Sequence, residues 1–341
     1  MPLSLNYLVK RLLWSVSVLV GVVVFSYLVI ILSPGDPAVK WAGNPRGPGA
    51  TKAVEEARRE LGLDLPLYLQ VLNFLRMVFT GDLGLSIAYR QPVFAVLSRN
   101  LTATLELLAF AYLIGAPLGS LLGVLAALRR GARLDGFLQT LGLALASTPT
   151  FWLGMAIFAA LLPSGFAPYG RVSTGLALAT GFQAVTGFYL IDAILQLNLS
   201  VFLDVLARLI PPALAVAAYP LGVCLRISRA LVADALLEEY VRAAVAWGVK
   251  RRAVVWSYAF RAALPGLVQV AGIAFAYSLV DAMVVEYVFG REGLGRLLFD
   301  AITLSDFKLA IGLLVLVATF YLVVNTLADI AQALIDPRVK L

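Results

Sequence analysis

The stretch "LALATGFQAVTGFYLIDAILQL", Leu176–Leu197, decides how this chain is threaded. It is long enough to cross about 30 Å of hydrocarbon as a helix. Gln183, Asp192 and the glycines Gly181 and Gly187 interrupt it. If it crosses, every later loop changes side. Composition shows why crossings are the right unit. Of 341 residues, 61% are hydrophobic and only 14% charged, and the mean hydropathy is +0.90. A soluble domain carries roughly a quarter charged residues. Runs of about 20 residues without Asp, Glu, Lys or Arg recur along the chain, the length a membrane helix needs. The sequence therefore reads as an all-α integral membrane protein.

The first run, 12–32, follows Lys10 and Arg11. It is too long for the apolar part of a signal peptide and has no small-x-small cleavage site, so it reads as an uncleaved span after a short N-terminus, 1–11. "LSPGDPA" stops it with Pro34 and Gly35. A polar outer loop, 33–104, follows. In it "TKAVEEARREL" and "PLYLQVLNFLRMVF" have helical periodicity but are too charged or too short to cross, and "TGDLG" turns the chain. Further spans read at 105–128, 136–162, 209–231, 264–288 and 309–335.

Charge asymmetry places Leu176–Leu197. Short cytoplasmic loops concentrate Lys and Arg, whereas long exported loops escape the rule. With six spans, Lys10 and Arg11, the "RRGAR" turn at Arg129–Arg133, the Arg226–Arg261 region, and Arg338 and Lys340 all face the cytosol. A seventh span would put Lys250, Arg251 and Arg252 outside. The segment is therefore expected in an outer loop, 163–208, lying at the membrane surface. Six spans and two cytosolic termini result, with a transmembrane core over 105–335, a cytosolic loop at 232–263 and a tail at 336–341.

Several chemistries are excluded. There is no histidine, which removes imidazole metal ligands and His-based acid/base catalysis. The single Cys224 cannot form an internal disulfide. No H-E-x-x-H, no G-x-x-x-x-G-K-[ST] phosphate loop and no catalytic pairing of carboxylates is present. The net charge of +7 fits anionic lipid headgroups and the basic inner loops, and says nothing of nucleic acid.

"EEYVRAAVAWGVKRR", Glu238–Arg252, is out of keeping with its oily surroundings. Glu238 and Arg242 are spaced i, i+4, a pair worth about 0.2–0.5 kcal/mol on an exposed helix. Tyr240, Ala244 and Gly248 fall on one face with Ala243 and Trp247 beside them, and small residues let another surface approach closely. Gly248 can end the helix. A helix gripped by a partner and an ordinary solvated loop helix both fit these residues.

"EEYVRAAVAWG", with "ALP" at Ala263–Pro265 downstream, resembles the EAA loop of ABC-importer permeases. In that family the loop forms a coupling helix that docks on the ATP-hydrolysing subunit. The resemblance assigns this role to Glu239, Tyr240, Arg242, Ala243, Ala244 and Gly248. Arg242 stands where the general motif has glutamate, and the Leu-Pro comes a few residues late. Both departures are similar to the peptide-importer branch. "ILSPGDPA", "LGLDLPLYLQ", "TGDLGLS", "LTATLEL", "STPTFWLG", "VVEYVFGREGLGRLL" and "ALIDPR" resemble, in order, the B-type permease of dipeptide, oligopeptide and nickel importers. The stretch from Arg171 to Leu197 is the least similar.

The resemblance implies a type I importer permease fold with a large first outer loop, in a prokaryotic plasma membrane. It implies a second homologous permease, two ATP-binding cassette subunits and an extracytoplasmic solute-binding protein as partners. This chain would hold no cofactor, while ATP and Mg would be bound by the ATPase subunits. Peptides are the expected cargo, and oligosaccharides the alternative. A secondary transporter or channel acting alone would call for internal repeats, and none is evident.

Within the spans, Pro117, Pro149, Pro211, Pro212 and Pro220 remove backbone hydrogen bonds and favour kinked, cavity-lining helices. Asp281 is a costly carboxylate inside the fifth span. It either faces the pathway, to meet a substrate amine or hydroxyl, or pairs with an arginine of a neighbouring helix. Trp152 and Tyr219 join it as pathway candidates. Glu106 and Glu286 sit near outer span ends, where carboxylates reach water or headgroups cheaply. Asp329, near the inner end of the last span, reads as structural.

Overall fold

The computed structural model describes residues 5–32, 36–304 and 306–335. Pro34 and Gly35, and the tail with Arg338 and Lys340, lie outside the described residues. Among those described there is no β-strand, only an isolated bridge from Leu85 to Pro92.

The helices run in order. α1 is Leu5–Leu32, α2 Pro37–Trp41, α3 Ala50–Glu60, α4 Leu67–Thr80 and α5 Val93–Leu128. Then come α6 Arg133–Ser147, α7 Thr150–Leu161, α8 Thr174–Thr180, α9 Tyr189–Leu195 and α10 Leu199–Ala235. α11 is Glu239–Ala246 and α12 Arg251–Ala253, which passes through a π-helical segment, Val254–Phe260, into α13, Arg261–Val288. α14 is Leu294–Thr303 and α15 Phe307–Ile335.

α5, α10, α15 and the continuous 251–288 helix are each long and apolar enough to cross a bilayer. α6 and α7 make a further crossing only if taken together, and α1 is apolar over Leu13–Val29. Within the span expected at 136–162 the helix breaks sharply at Pro149, where α6 and α7 meet at 99°. Pro149 lacks an N–H and disfavours the helical conformation in the residue before it. Thr148 accordingly adopts an extended backbone, φ −74° and ψ 128°.

Leu176–Leu197 is not one helix. α8 and α9 contain 7 residues each, about 10 Å of rise and far short of a bilayer. Gly181, at φ +65°, ends α8 in the left-handed region. Asp192 then organises the turn into α9. Its Oδ1 accepts from the Thr186 N–H at 2.8 Å and hydroxyl at 2.7 Å, and its Oδ2 accepts from the Gly187 N–H at 3.1 Å.

The chain folds as two compact units, one of Met1–Leu8, Thr102–Glu292 and Tyr321–Leu341, the other of Val9–Leu101 and Gly293–Phe320. In the first, α10 is the central helix, packed on α6, α7, α9 and α13. α5 lies against it along a stripe of Gly115, Gly119 and Gly123. A Cβ on Gly119 would sit 2.3 Å from the Leu221 carbonyl oxygen, and one on Gly123 2.5 Å from that of Leu225. Such small-residue seams let helix backbones approach in lipid, where no hydrophobic effect drives helices together. The Ser228 hydroxyl donates to the Ser120 carbonyl at 2.9 Å across the same seam. In the second unit, Tyr27 of α1 packs on Phe74 of α4 with ring centres 5.1 Å apart, beside Val23 and Ile311. Asp306 accepts from the Ser86 hydroxyl and from the Ala88 and Leu309 N–H groups.

Candidate functional site

α11 carries the residues that resemble a coupling helix. Val241 and Ala244 are buried, three residues apart on the face that seats the helix against its own chain. Ala244 thus anchors α11 rather than lining its outer surface, which changes the face drawn from the sequence. Glu239, Tyr240, Arg242, Ala243, Trp247 and Gly248 are exposed, Trp247 to 87%. The expected Glu238–Arg242 salt bridge is not formed among the described residues. Glu238 is the N-cap, with extended ψ of 148°, so its side chain leaves the i, i+4 geometry. The helix closes on Gly248 at φ +77°. The Gly248 N–H donates to the Val245 carbonyl at 3.0 Å and that of Val249 to Ala244 at 3.1 Å, the paired bonds of a left-handed helix terminus. Only glycine adopts this conformation without strain.

Beneath α11 lies the π-helical segment. Its Val255 and Ala259 enter a cluster with Val124 and Ala127 of α5 and Val232, Ala233 and Ala235 of α10. The segment runs directly into α13, so movement of α11 has a packed route into a long apolar helix. Elsewhere in the first unit, Asp135 of α6 accepts two hydrogen bonds from Arg229 of α10, at 3.0 and 2.8 Å, and others from Gln139 and the Gly131 N–H at 3.0 Å. The Arg229 guanidinium, with these donors, holds the Asp135 carboxyl down at a pKa of about 2. The sequence reading had not singled out either residue.

The pathway candidates separate. Thr150, Gly154 and Phe158 form one face of α7 against α13. Thr150 lies near Asp281, a Cβ on Gly154 would be 3.8 Å from Val285, and Phe158 stacks edge-on with Phe289 at 5.4 Å. Tyr219 and Tyr277 are close enough to interact electrostatically with each other, and Tyr219 with Asp281. Trp152, by contrast, is exposed and points away, roughly 200° around α7 from Thr150. The sequence reading also overlooked a stripe on α13. Ile273, Tyr277, Val280, Val284 and Tyr287 are all exposed, and their 4-3-4-3 spacing is that of a helix-packing seam.

Glu106 and Glu286 do not reach water or headgroups; both are buried. Glu106 Oε2 takes Arg171 Nη2 at 2.8 Å and Arg291 Nη2 at 3.4 Å, while Oε1 accepts from the Leu190 N–H at 3.0 Å. Glu286 adds its charge to Arg291. The Arg291 side chain is 0% exposed, and burial pulls its guanidinium down to a pKa of about 10. Arg171 also covers the Tyr189 ring, 3.6 Å from its centre. The partners lie far apart in sequence, which hid the cluster. Asp329 lies on α15, half-buried.

Comparison with known proteins identifies the family. Residues 119–341 match the family described as binding-protein-dependent transport system inner membrane component, and residues 4–108 match its N-terminal companion. The chain is 37% identical over 330 residues to the probable D,D-dipeptide transport system permease protein DdpB of Escherichia coli (strain K12), covering 95% of this chain and 94% of that one. It is 36% identical over 337 residues to the di/tripeptide transport system permease protein DppB of Pseudomonas aeruginosa (strain UCBPP-PA14), covering 98% and 99%. With the dipeptide transport system permease protein DppB of Escherichia coli (strain K12), it shares 34% identity over 340 residues, covering 98% and 99%. The chain belongs to the family of binding-protein-dependent transport system inner membrane components, non-catalytic multi-pass membrane proteins that work with a solute-binding protein and a separate ATPase.

Proposed function

We propose that this chain is one of two permease subunits of an ATP-driven importer of di- and oligopeptides, paired with a second, homologous permease and served by two ATPase subunits. The peptide cargo rests on the names of its relatives, each a peptide or dipeptide permease over nearly its whole length. The observation that carries the coupling role is α11 itself. It is a short helix braced from beneath by Val241 and Ala244, with Tyr240, Arg242, Ala243 and Trp247 presented outward.

In this reading the chain crosses the membrane six times with both termini in the cytosol. The 232–263 loop lies inside and the 33–104 and 163–208 segments outside. ATP and Mg belong to the motor subunits. Closure of the motors pulls α11, the π-helical segment passes the displacement to α13, and the proline-bearing helices rock to open the outer side. Co-purification with the ATPase after cross-linking at Trp247→Cys tests the reading, together with labelling of Lys250 from each side. Cross-linked ATPase and inside-only labelling are expected. Exterior labelling of Lys250, or peptide transport by the isolated chain without ATP, would overturn it.

A further inference from the structure

Four acids in and around the transmembrane helices of the first unit, Glu106, Asp135, Asp204 and Asp192, are compensated by arginines or by backbone N–H groups, and Asp281 has neither among the described residues. Glu106 meets Arg171 and Arg291, Asp135 meets Arg229, and Asp204 meets Arg208 at 3.0 Å. Asp192 is held by backbone N–H groups and a hydroxyl. Asp281 forms no salt bridge among the described residues, and the Thr150 side chain lies near it. Thr150 is the first residue of α7, so the positive end of that helix helps hold a negative charge at this point. No cation among the described residues pairs with that charge. This disfavours the pairing with a neighbouring arginine that the sequence left open.

Asp281 is also reachable. It is only partly buried, and it borders the exposed stripe of Tyr277, Val280 and Val284 on α13. Tyr219 approaches from α10. A carboxylate beside two tyrosines suits a cation that carries hydrogen-bond donors. The carboxylate supplies a charge-assisted hydrogen bond, and the ring faces supply cation–π attraction. A neutral sugar would gain neither charge contribution, and a carboxylate would be repelled. The geometry points to Asp281, with Tyr219 and Tyr277, as the permease's own receptor for the protonated α-amine of a peptide during passage. This inference rests on the peptide reading above and names the chemical group that the pathway selects.

The test uses the purified complete transporter in lipid nanodiscs, without the binding protein, so that selection by the permease is seen alone. Dicyclohexylcarbodiimide modification of Asp281 is followed by mass spectrometry. Millimolar Ala-Ala is expected to slow it by about tenfold, the protection given by ligand at roughly ten times its Kd. N-acetyl-Ala-Ala, which has no amine charge, is expected to leave it unchanged. Equal protection by both, or by neither, overturns the inference. In proteoliposomes with the binding protein, Asp281→Asn is expected to lower Ala-Ala import about tenfold, and Asp281→Glu to restore most of it. Import unaltered by Asp281→Asn also overturns it, while native import leaves the peptide reading standing. If the native complex imports no peptide, both fall. Should Asp281→Asn fail to accumulate, the labelling of the native chain decides.

Discussion

Arg171, in the segment between α7 and α10, sits with Nη2 2.8 Å from Oε2 of Glu106 on α5, and both side chains are almost closed to solvent. The same arginine donates to the Gly187 carbonyl at 2.7 Å. One residue therefore ties the loop's own turn to a long apolar helix. Gly187 is also seated close; a Cβ there would lie 2.7 Å from the Thr102 hydroxyl oxygen.

Arg171→Ala removes the nearer of two cations from a buried carboxylate. Breaking one side of such a pair costs about 3–5 kcal/mol, because the remaining charge stays buried. The variant is expected to lose thermal stability in detergent and to become cleavable by protease between 173 and 198. Combining Arg171→Met with Glu106→Gln should cost clearly less than the two single changes added together. Additive losses would mean that the pair does not hold the loop.

The pH response of the Asp135–Arg229 pair has a definite sign. Arg229 and the other donors lower the folded-state pKa of Asp135 from 3.8 to about 2. The resulting stability is fully present above pH 3.8 and is lost as pH falls from there through about 2. Allowing for the partial exposure of Arg229, the contribution is about 1–2 kcal/mol. Melting temperatures of the purified protein between pH 2 and 6 should fall more steeply for the native chain than for Asp135→Asn. Parallel curves would remove the pair from the acid response.

Gly119→Leu is expected to prevent α5 from seating on α10. The Cβ alone would meet the Leu221 carbonyl oxygen at 2.3 Å, and backbone cannot rotate away as a side chain can. Overpacking a tight contact costs about 1–3 kcal/mol, and more where neighbours cannot yield. Gly136, where a Cβ meets nothing within 4 Å, is the control. Gly136→Ala should accumulate normally in the membrane while Gly119→Leu does not.

The parts of this fold set by local chemistry could be read from the chain alone. Basic loops assigned Leu176–Leu197 to a loop, and Gly181 and Asp192 are the residues that break it into α8 and α9. The four-residue spacing of Gly115, Gly119 and Gly123 is equally local and marks a close helix contact. Hydropathy marks lipid contact, not helix ends, so α5 begins at Val93 although the apolar run was placed from 105. Pro149 was visible, yet the angle at which α7 resumes depends on what packs around it. Glu106 finds Arg171 across 65 positions and Arg291 across 185, and no spacing rule links such partners. The α11 residues are legible in the sequence but their faces are not, because the burial of Ala244 comes from packing of α11 on its own chain, the π-helical segment included.

Gly248 separates backbone requirement from surface fit. Its φ of +77° disfavours any residue with a Cβ, yet a Cβ there would meet nothing within 4 Å. Gly248→Ala should therefore cost only the left-handed penalty, about 1–2 kcal/mol, and that loss falls on an exposed helix end. Insertion, folding and most of the transport should survive. Gly248→Trp carries the same backbone penalty and adds a large side chain on the exposed surface beside Trp247. If α11 is gripped by the ATPase, this variant should reach the membrane at normal levels, while transport per ATP hydrolysed in proteoliposomes falls at least about tenfold, the effect of losing roughly 1.4 kcal/mol of docking. The contrast between the two variants is the measurement, since they share the strain and differ only in what a partner would meet. Equal coupling in both would leave α11 an ordinary surface helix.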